Sequence, residues 1–416
     1  MTYDQTRDSE QLSYLDDAIG DFISRYNSKF QTTNRRTVIF FPGAMGSHLL
    51  QASTAEPYGP PYFYSTLWVD GLIALGAATN LQMQGDVDYL QQIVVADGPL
   101  DLLIFRPYQG FIDWCDDNNI DYFIFGWDWR RDPGKAADFF LNIFMPRFEQ
   151  LVGACNPHPL LHLSLVGHSF GGMVVKLILN RSSNPYVQLF HSGVTVASPF
   201  YGHGGQLARY FIGEPDLYAF YSKRDLVRIV SSLAGGYTLM FLDKVTYGLY
   251  GDALKNDDQY FPLANYPVLD ATTRAIADPY VPATSGGKVR YPQNYGFNPG
   301  HLARGKLVCQ NVAAPLAPSI NDKFFNIRGV QTDNNGVVDG TVNNQTWEWI
   351  APDFNPDNRS SPIVDYLGPG DGTLPAWSTR LISAPAGNII TLSGNDIDHM
   401  WMMGHPQVTN ALDTVI

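Results

Sequence analysis

A chain of 416 residues with 45% apolar composition is long enough to bury a large core, as one elaborated domain or two closely packed ones. Its net charge of −13, with 27 Lys and Arg scattered mostly singly, argues against a nucleic-acid footprint and against strong attraction to anionic membrane surfaces. The three cysteines, Cys115, Cys155 and Cys309, lie far apart without CxxC or Cys/His ligand spacing, so neither a zinc site nor a disulfide framework is expected.

The first twenty residues are acidic and lack the basic flank and apolar core of a signal peptide, which favours a cytoplasmic location. Leu12, Leu15, Ile19, Phe22 and Tyr26 then recur at helical spacing with acids on the opposite face, which predicts an amphipathic helix over 9–30. Thr37 to Phe41, TVIFF, is a continuous apolar run of the kind buried in a parallel sheet, and it ends in Pro42, Gly43, Ala44, Met45, Gly46 and Ser47. From Gln51 to Leu90 the chain reads as loop-rich, with Pro57, Pro60 and Pro61 among aromatics. Arg106 to Asn118 fits a helix, Asp121 to Phe125 a second buried strand, and Lys135 to Gln150 a crossover helix. Between them GWDWRRDP reads as a corner where Asp128 pairs with the arginines and the indoles pack.

The stretch LHLSLVGHSFGGMVVKLIL, Leu161 to Leu179, reads as strand, sharp turn and helix, with Ser169 at the apex. A tight strand-to-helix turn is what a nucleophilic serine needs, because it lifts the hydroxyl clear of the sheet and aims the free N–H groups of the helix start at it. Gly167 and Gly171, lacking Cβ atoms, let strand and helix approach. The glycine-rich turn after TVIFF is where a second oxyanion donor would stand. Ala44 and Phe170 are the candidate pair of backbone donors.

Gly193 to Ala197 is a further strand, and the alternation of strands and helices predicts a mainly parallel, doubly wound α/β sheet. Residues 199–320 break that rhythm with Tyr, Phe, Leu, Gly and Pro, and read as a large cap or lid inserted between core segments 1–198 and 321–416. The longest apolar run, Ile229 to Leu242, is about fourteen residues against the roughly 20 that span a bilayer, so no transmembrane helix is expected. Lys323 to Arg328 returns to the sheet, Asn335–Gly336 marks a hairpin turn in place of a calcium loop, and Asn388 to Leu392 suits a last strand.

A serine nucleophile needs a base and a carboxylate to orient it, in the chain order Ser, acid, His. Asp371, on the glycine-flanked loop GPGDGT, and His399, after the last strand, fit that order with Ser169. Asp365, Asp396 and Asp398 compete for the acid and His405 for the base. His168 sits too close to the nucleophile to serve as its base. Such chemistry calls for no cofactor and no metal.

Five spaced motifs, VIFFPGAMGSHL, GWDWRRDP, GHSFGG, GDGTLP and DHMWMMGHPQV, resemble those of the lecithin:cholesterol acyltransferase-like family of α/β-hydrolases. The resemblance spans most of the chain and implies an α/β-hydrolase fold, with Ser169, Asp371 and His399 as the triad and an oxyanion residue at Ala44. It further implies a serine esterase or lipase acting on a lipid-like ester. Transfer of the acyl group to an alcohol is the alternative, and an inactive hydrolase-like lipid-binding protein a weaker one. The apolar cap is the candidate for apolar substrate contact and for transient contact with a lipid interface.

Overall fold

The computed structural model describes residues 3–29, 35–53, 63–68, 81, 83–84, 87–88, 93–101, 105–202, 229–239, 298–340, 343–344, 348–349, 363–364 and 367–416. In chain order these form helix α1 (Tyr3–Ser28), strand β1 (Thr37–Phe41), the strands β2 (Ser47–Ser53), β3 (Phe63–Trp68) and β4 (Ile93–Pro99), helix α2 (Gln109–Asp117) and strand β5 (Asp121–Ile124). Helix α3 (133–152), strand β6 (Leu163–His168), helices α4 (Phe170–Leu179) and α5 (Pro185–Leu189) and strand β7 (Gly193–Val196) follow. Helix α6 (Pro299–Ala313), strands β8 (Phe324–Gln331) and β9 (Ile389–Gly394) and helix α7 (Pro406–Val415) complete the described core.

Six strands pair in the order β9-β8-β7-β6-β1-β5, and every pairing is parallel. Parallel neighbours need crossovers, and the helices that supply them cover both faces of the sheet. Alternate side chains of β1 show this directly. Val38 and Phe40 join a core with Phe111 and Cys115 of α2 and Val408 and Leu412 of α7. Ile39 and Phe41 join the other, with Phe22 and Tyr26 of α1 and Phe140, Phe144 and Phe148 of α3. Burying each such Phe or Leu stabilises the fold by about 1.5–3 kcal/mol. The strand order and the two covered faces make this the mainly parallel, doubly wound α/β sheet expected from the sequence.

The chain leaves β1 for β5 at one edge, then returns past β1 to build β6 onward on the other side. That reversal opens a crevice at the carboxyl ends of β1 and β6, the place where open α/β sheets hold their ligands. Register brings the two ends level, with Phe41 opposite Gly167 and His168 opposite Val196.

Several details differ from the sequence reading. Leu161 belongs to a 3₁₀ turn at Pro159–His162, capped by the His158 side chain, and is 64% exposed, so strand β6 starts two residues later. Leu161's apparent place in the apolar alternation is coincidental. Helix α3 contains a π turn over Phe140–Phe144, and there Phe140 and Phe144 stack with ring centroids 5.4 Å apart. The region 51–90, read as loop-rich, contains the end of β2 and all of β3, which with β4 form a three-stranded antiparallel sheet. Gln11 of α1 docks against that sheet by donating to the Ala96 carbonyl and accepting from the Ala96 N–H.

Most of the cap, 203–228 and 240–297, lies outside the described residues, as does Asp365. Within its described part, Tyr237 donates to the Ser231 carbonyl and the Gly235 N–H donates to the Arg130 carbonyl, which fastens this piece to the corner after β5. Among the described residues no helix is long and apolar enough to cross a membrane. Asn335–Gly336 forms the expected turn, with Gly336 at φ 78° and the Asp333 N–H donating to the Val337 carbonyl.

Candidate active site

Ser169 sits between β6 and α4 at φ 53° and ψ −124°, a backbone conformation rare for any residue with a side chain. The neighbourhood explains how it is held there. A Cβ on Gly171 would come within 2.1 Å of the Phe41 carbonyl oxygen, so only glycine lets α4 lie this close to β1. The Ser169 N–H donates to the Val196 carbonyl, which ties the turn to β7. The side chain stays partly accessible while its neighbours His168 and Phe170 are buried.

The three residues picked from sequence meet here although 202 residues separate Ser169 from Asp371 (371 − 169). His399 Nε2 lies 3.0 Å from Ser169 Oγ, and His399 Nδ1 lies 2.8 Å from Asp371 Oδ2. Asp371 is fully buried, and its other oxygen accepts from the backbone N–H groups of Thr373 and Leu374 at 3.1 and 2.7 Å. The His399 N–H donates to the Asp371 carbonyl at 2.7 Å, so the two loops are joined by backbone as well as side chain. A carboxylate held this way fixes the tautomer of the imidazole, leaving the far nitrogen bare to accept a hydroxyl proton.

The competing residues that are described, Asp396, Asp398 and His405, are occupied elsewhere. Asp396 is exposed and pairs with His405 at 3.1 Å, while His405 caps α7 by accepting from the Gln407 N–H. Asp398 accepts from the Met400 N–H at 3.0 Å, closing the turn that carries His399.

The turn after β1 lies against the serine. A Cβ on Gly43 would fall 2.9 Å from Ser169 Cβ, and the Gly46 N–H donates to the Gly43 carbonyl at 3.0 Å to close the turn around Ala44 and Met45. Phe170 opens α4, whose first N–H groups are free of helical partners. Trp127 spans both candidate donor segments: its indole N–H donates to the Pro42 carbonyl at 2.9 Å and its ring packs edge-on against Phe170. From sequence that indole reads only as packing in the corner. The rest of the corner behaves as expected, with Asp128 accepting from Arg130 Nε and Nη2 at 2.9 and 2.8 Å and from Arg131 Nε at 3.0 Å.

Tyr108, the residue before α2, escaped the sequence reading altogether. Its hydroxyl accepts from the Gly43 N–H and stands 3.2 Å from His168 Nδ1. Nothing in the local sequence distinguishes this tyrosine, since both partners are distant in the chain. Among the described residues no cluster of His, Cys, Asp and Glu could hold a metal ion.

No family model and no curated protein sequence matches the chain. Solved structures match at low identity. The Tle4-Tli4 complex is 12% identical with a TM-score of 0.45, covering 92% of this chain and 98% of that one. The Bacillus licheniformis lipase BlEst2 in mature form is 12% identical with a TM-score of 0.38, over 93% and 94% of the two chains. Lipase 1 from Pelosinus fermentans is 11% identical with a TM-score of 0.34, over 92% and 100%. Likeness this distant assigns neither an activity nor a substrate.

Proposed function

We propose that this protein is a serine esterase or lipase that hydrolyses lipid-like carboxylic esters through an acyl-enzyme. The observation that carries the reading is the relay of short contacts from Asp371 to His399 to Ser169, on a serine held at positive φ. In this reading Ser169 Oγ forms a bond to the ester carbonyl carbon as its proton passes to His399 Nε2. His399 then returns the proton to the leaving alcohol as the C–O bond breaks. Water attacks the acyl-enzyme by the same route, releasing the acid and restoring Ser169. Asp371 orients His399 and stabilises its charged form, and the N–H groups of Ala44 and Phe170 receive the oxyanion.

The substrate class and the kinship rest on the five motifs that resemble the lecithin:cholesterol acyltransferase-like family, and on the half-exposed Trp401 packed against Phe105 just beyond the base. An acyl-enzyme reaching an alcohol before water would transfer the acyl group, so the assay includes an acceptor.

Release of acid and of p-nitrophenol is to be measured across acyl lengths for wild type and Ser169→Ala, with and without a long-chain alcohol. Wild-type activity that rises with chain length and falls by about 10⁴-fold or more in the variant is the expected result. Activity that survives in Ser169→Ala would overturn the assignment. Ester rather than free acid as the sole product with alcohol present would make transfer the reaction.

A further inference from the structure

We propose that Tyr108 and His168 form a positioning bridge that fixes the turn after β1 and the backbone of His399 in register about Ser169. This rests on the roles given to Ser169 and His399 above. Its three hydrogen-bond contacts are buried and join residues distant in the chain. The Gly43 N–H donates to Tyr108 Oη at 2.9 Å, and Tyr108 Oη lies 3.2 Å from His168 Nδ1. His168 Nε2 lies 3.0 Å from the His399 carbonyl oxygen, and the two imidazoles stand 4.8 Å apart between centroids, tilted by 42°.

The partners dictate the protons. A carbonyl oxygen only accepts, so His168 Nε2 carries a hydrogen. The Tyr108 oxygen already accepts from Gly43, which leaves its own hydrogen to donate to a bare His168 Nδ1. One neutral tautomer thus satisfies every group, whereas a second proton on the ring would displace the tyrosine hydrogen from its only acceptor in the bridge. Burial, reinforced by the neighbouring His399, pushes His168 well below the usual histidine range, in the same direction. A neutral ring adds no repulsion when His399 takes the proton of Ser169.

The bridge also has a rigid footing. Gly110, in the first turn of α2, packs backbone to backbone against Gly404, so closely that a Cβ there would meet the Gly404 Cα at 2.8 Å. The segment carrying Tyr108 is therefore locked to the chain just beyond His399. Since a shift of about 1 Å between reacting groups can cost about 10² in rate, the backbone grip on His399 bears on kcat more than on substrate affinity.

The test uses the full chain with a p-nitrophenyl ester, following kcat, KM, the unfolding midpoint, fluorophosphonate labelling and histidine ¹⁵N shifts at neutral pH. The variants are His168→Leu, His168→Gln and Tyr108→Phe. The Gln amide can still donate toward the His399 carbonyl, whereas Leu cannot. The expected result is a neutral His168 protonated on Nε2, and a kcat lowered about 10²-fold in His168→Leu with KM within about twofold. His168→Gln should recover most of that kcat, and Tyr108→Phe should fall between. A wild-type kcat in His168→Leu, or equal losses in Leu and Gln that track the unfolding midpoint, would overturn the bridge while leaving the nucleophile intact. A wild-type chain that is neither labelled nor active would overturn the hydrolase reading and the bridge's role with it.

Discussion

Asp128 and Asp371 are both buried carboxylates, yet the corner after β5 and the loop beneath His399 give them opposite kinds of partner. At the corner, burial alone would raise the Asp128 carboxyl, but the guanidinium groups of Arg130 and Arg131 outweigh it and hold the group well below the usual carboxylate range. A guanidinium does not release its proton, so the charges there stay neutralised whatever happens at the serine. Asp371 instead meets two backbone N–H groups and one imidazole, a partner whose charge changes with a single proton. With Asp371 in the role proposed for it, the difference teaches that burial and complete hydrogen bonding do not distinguish a structural carboxylate from a chemical one. Whether the partner can take up a proton in the reaction does.

The largest effect that would test this contrast belongs to Asp371→Asn. The amide keeps the shape but favours the wrong imidazole tautomer, so kcat for ester hydrolysis should fall about 10⁴-fold while the unfolding midpoint stays near that of wild type. A loss under about tenfold would erase the distinction between the two aspartates. Asp128→Asn should do the reverse. It removes the carboxylate from a buried ion pair with Arg130, which Arg131 shares, a change that costs about 3–5 kcal/mol in urea unfolding. Active-site titration with a fluorophosphonate should find the kcat of the folded molecules unchanged. Lost kcat at full stability would mean that the corner serves the site through Trp127 rather than the fold.

Legibility followed the same divide between local and long-range causes. The turn at Ser169 was readable because its requirements are local: an apolar strand, glycines on either side and an apolar helix. The preference for Asp371 over Asp396 or Asp398 was legible only in part, from its glycine-flanked loop, because its contact with His399 depends on β8 and β9 pairing with Gly329 opposite Leu392 and on the Gln331 N–H meeting the Gly370 carbonyl. The order Ser, acid, His narrowed the candidates, and the resemblance to known motifs supplied the rest. Strands β2 to β4 were missed because antiparallel pairing across long separations rewards packing that no short window displays. Tyr108 carried no signal for the same reason, as its partners are 65 and 60 residues away.

Lys176 sharpens the comparison from the side of a cation, with an effect that accrues only gradually with pH. It lies on α4, the helix that starts beside Ser169, and is fully buried. Its ammonium donates to Asn180 Oδ1 and to the Ala314 carbonyl at the end of α6, both at 2.7 Å, and neither acceptor carries a full charge. The partial negative charge of a helix C-terminus compensates only in part, and burial lowers the group from 10.5 to about 7. The unfolded chain thus holds this proton up to about pH 10.5 and the folded chain only up to about 7. Between those limits unfolding takes up a proton, so stability should fall by about 1.4 kcal/mol per unit as the pH is lowered, and the dependence should end below about 7. Urea unfolding of wild type and Lys176→Met from pH 10 to 6 isolates the contribution as the difference between the two curves. A constant difference would mean that Lys176 remains charged throughout, and that a helix end and an amide can balance a buried charge as well as two guanidiniums balance Asp128.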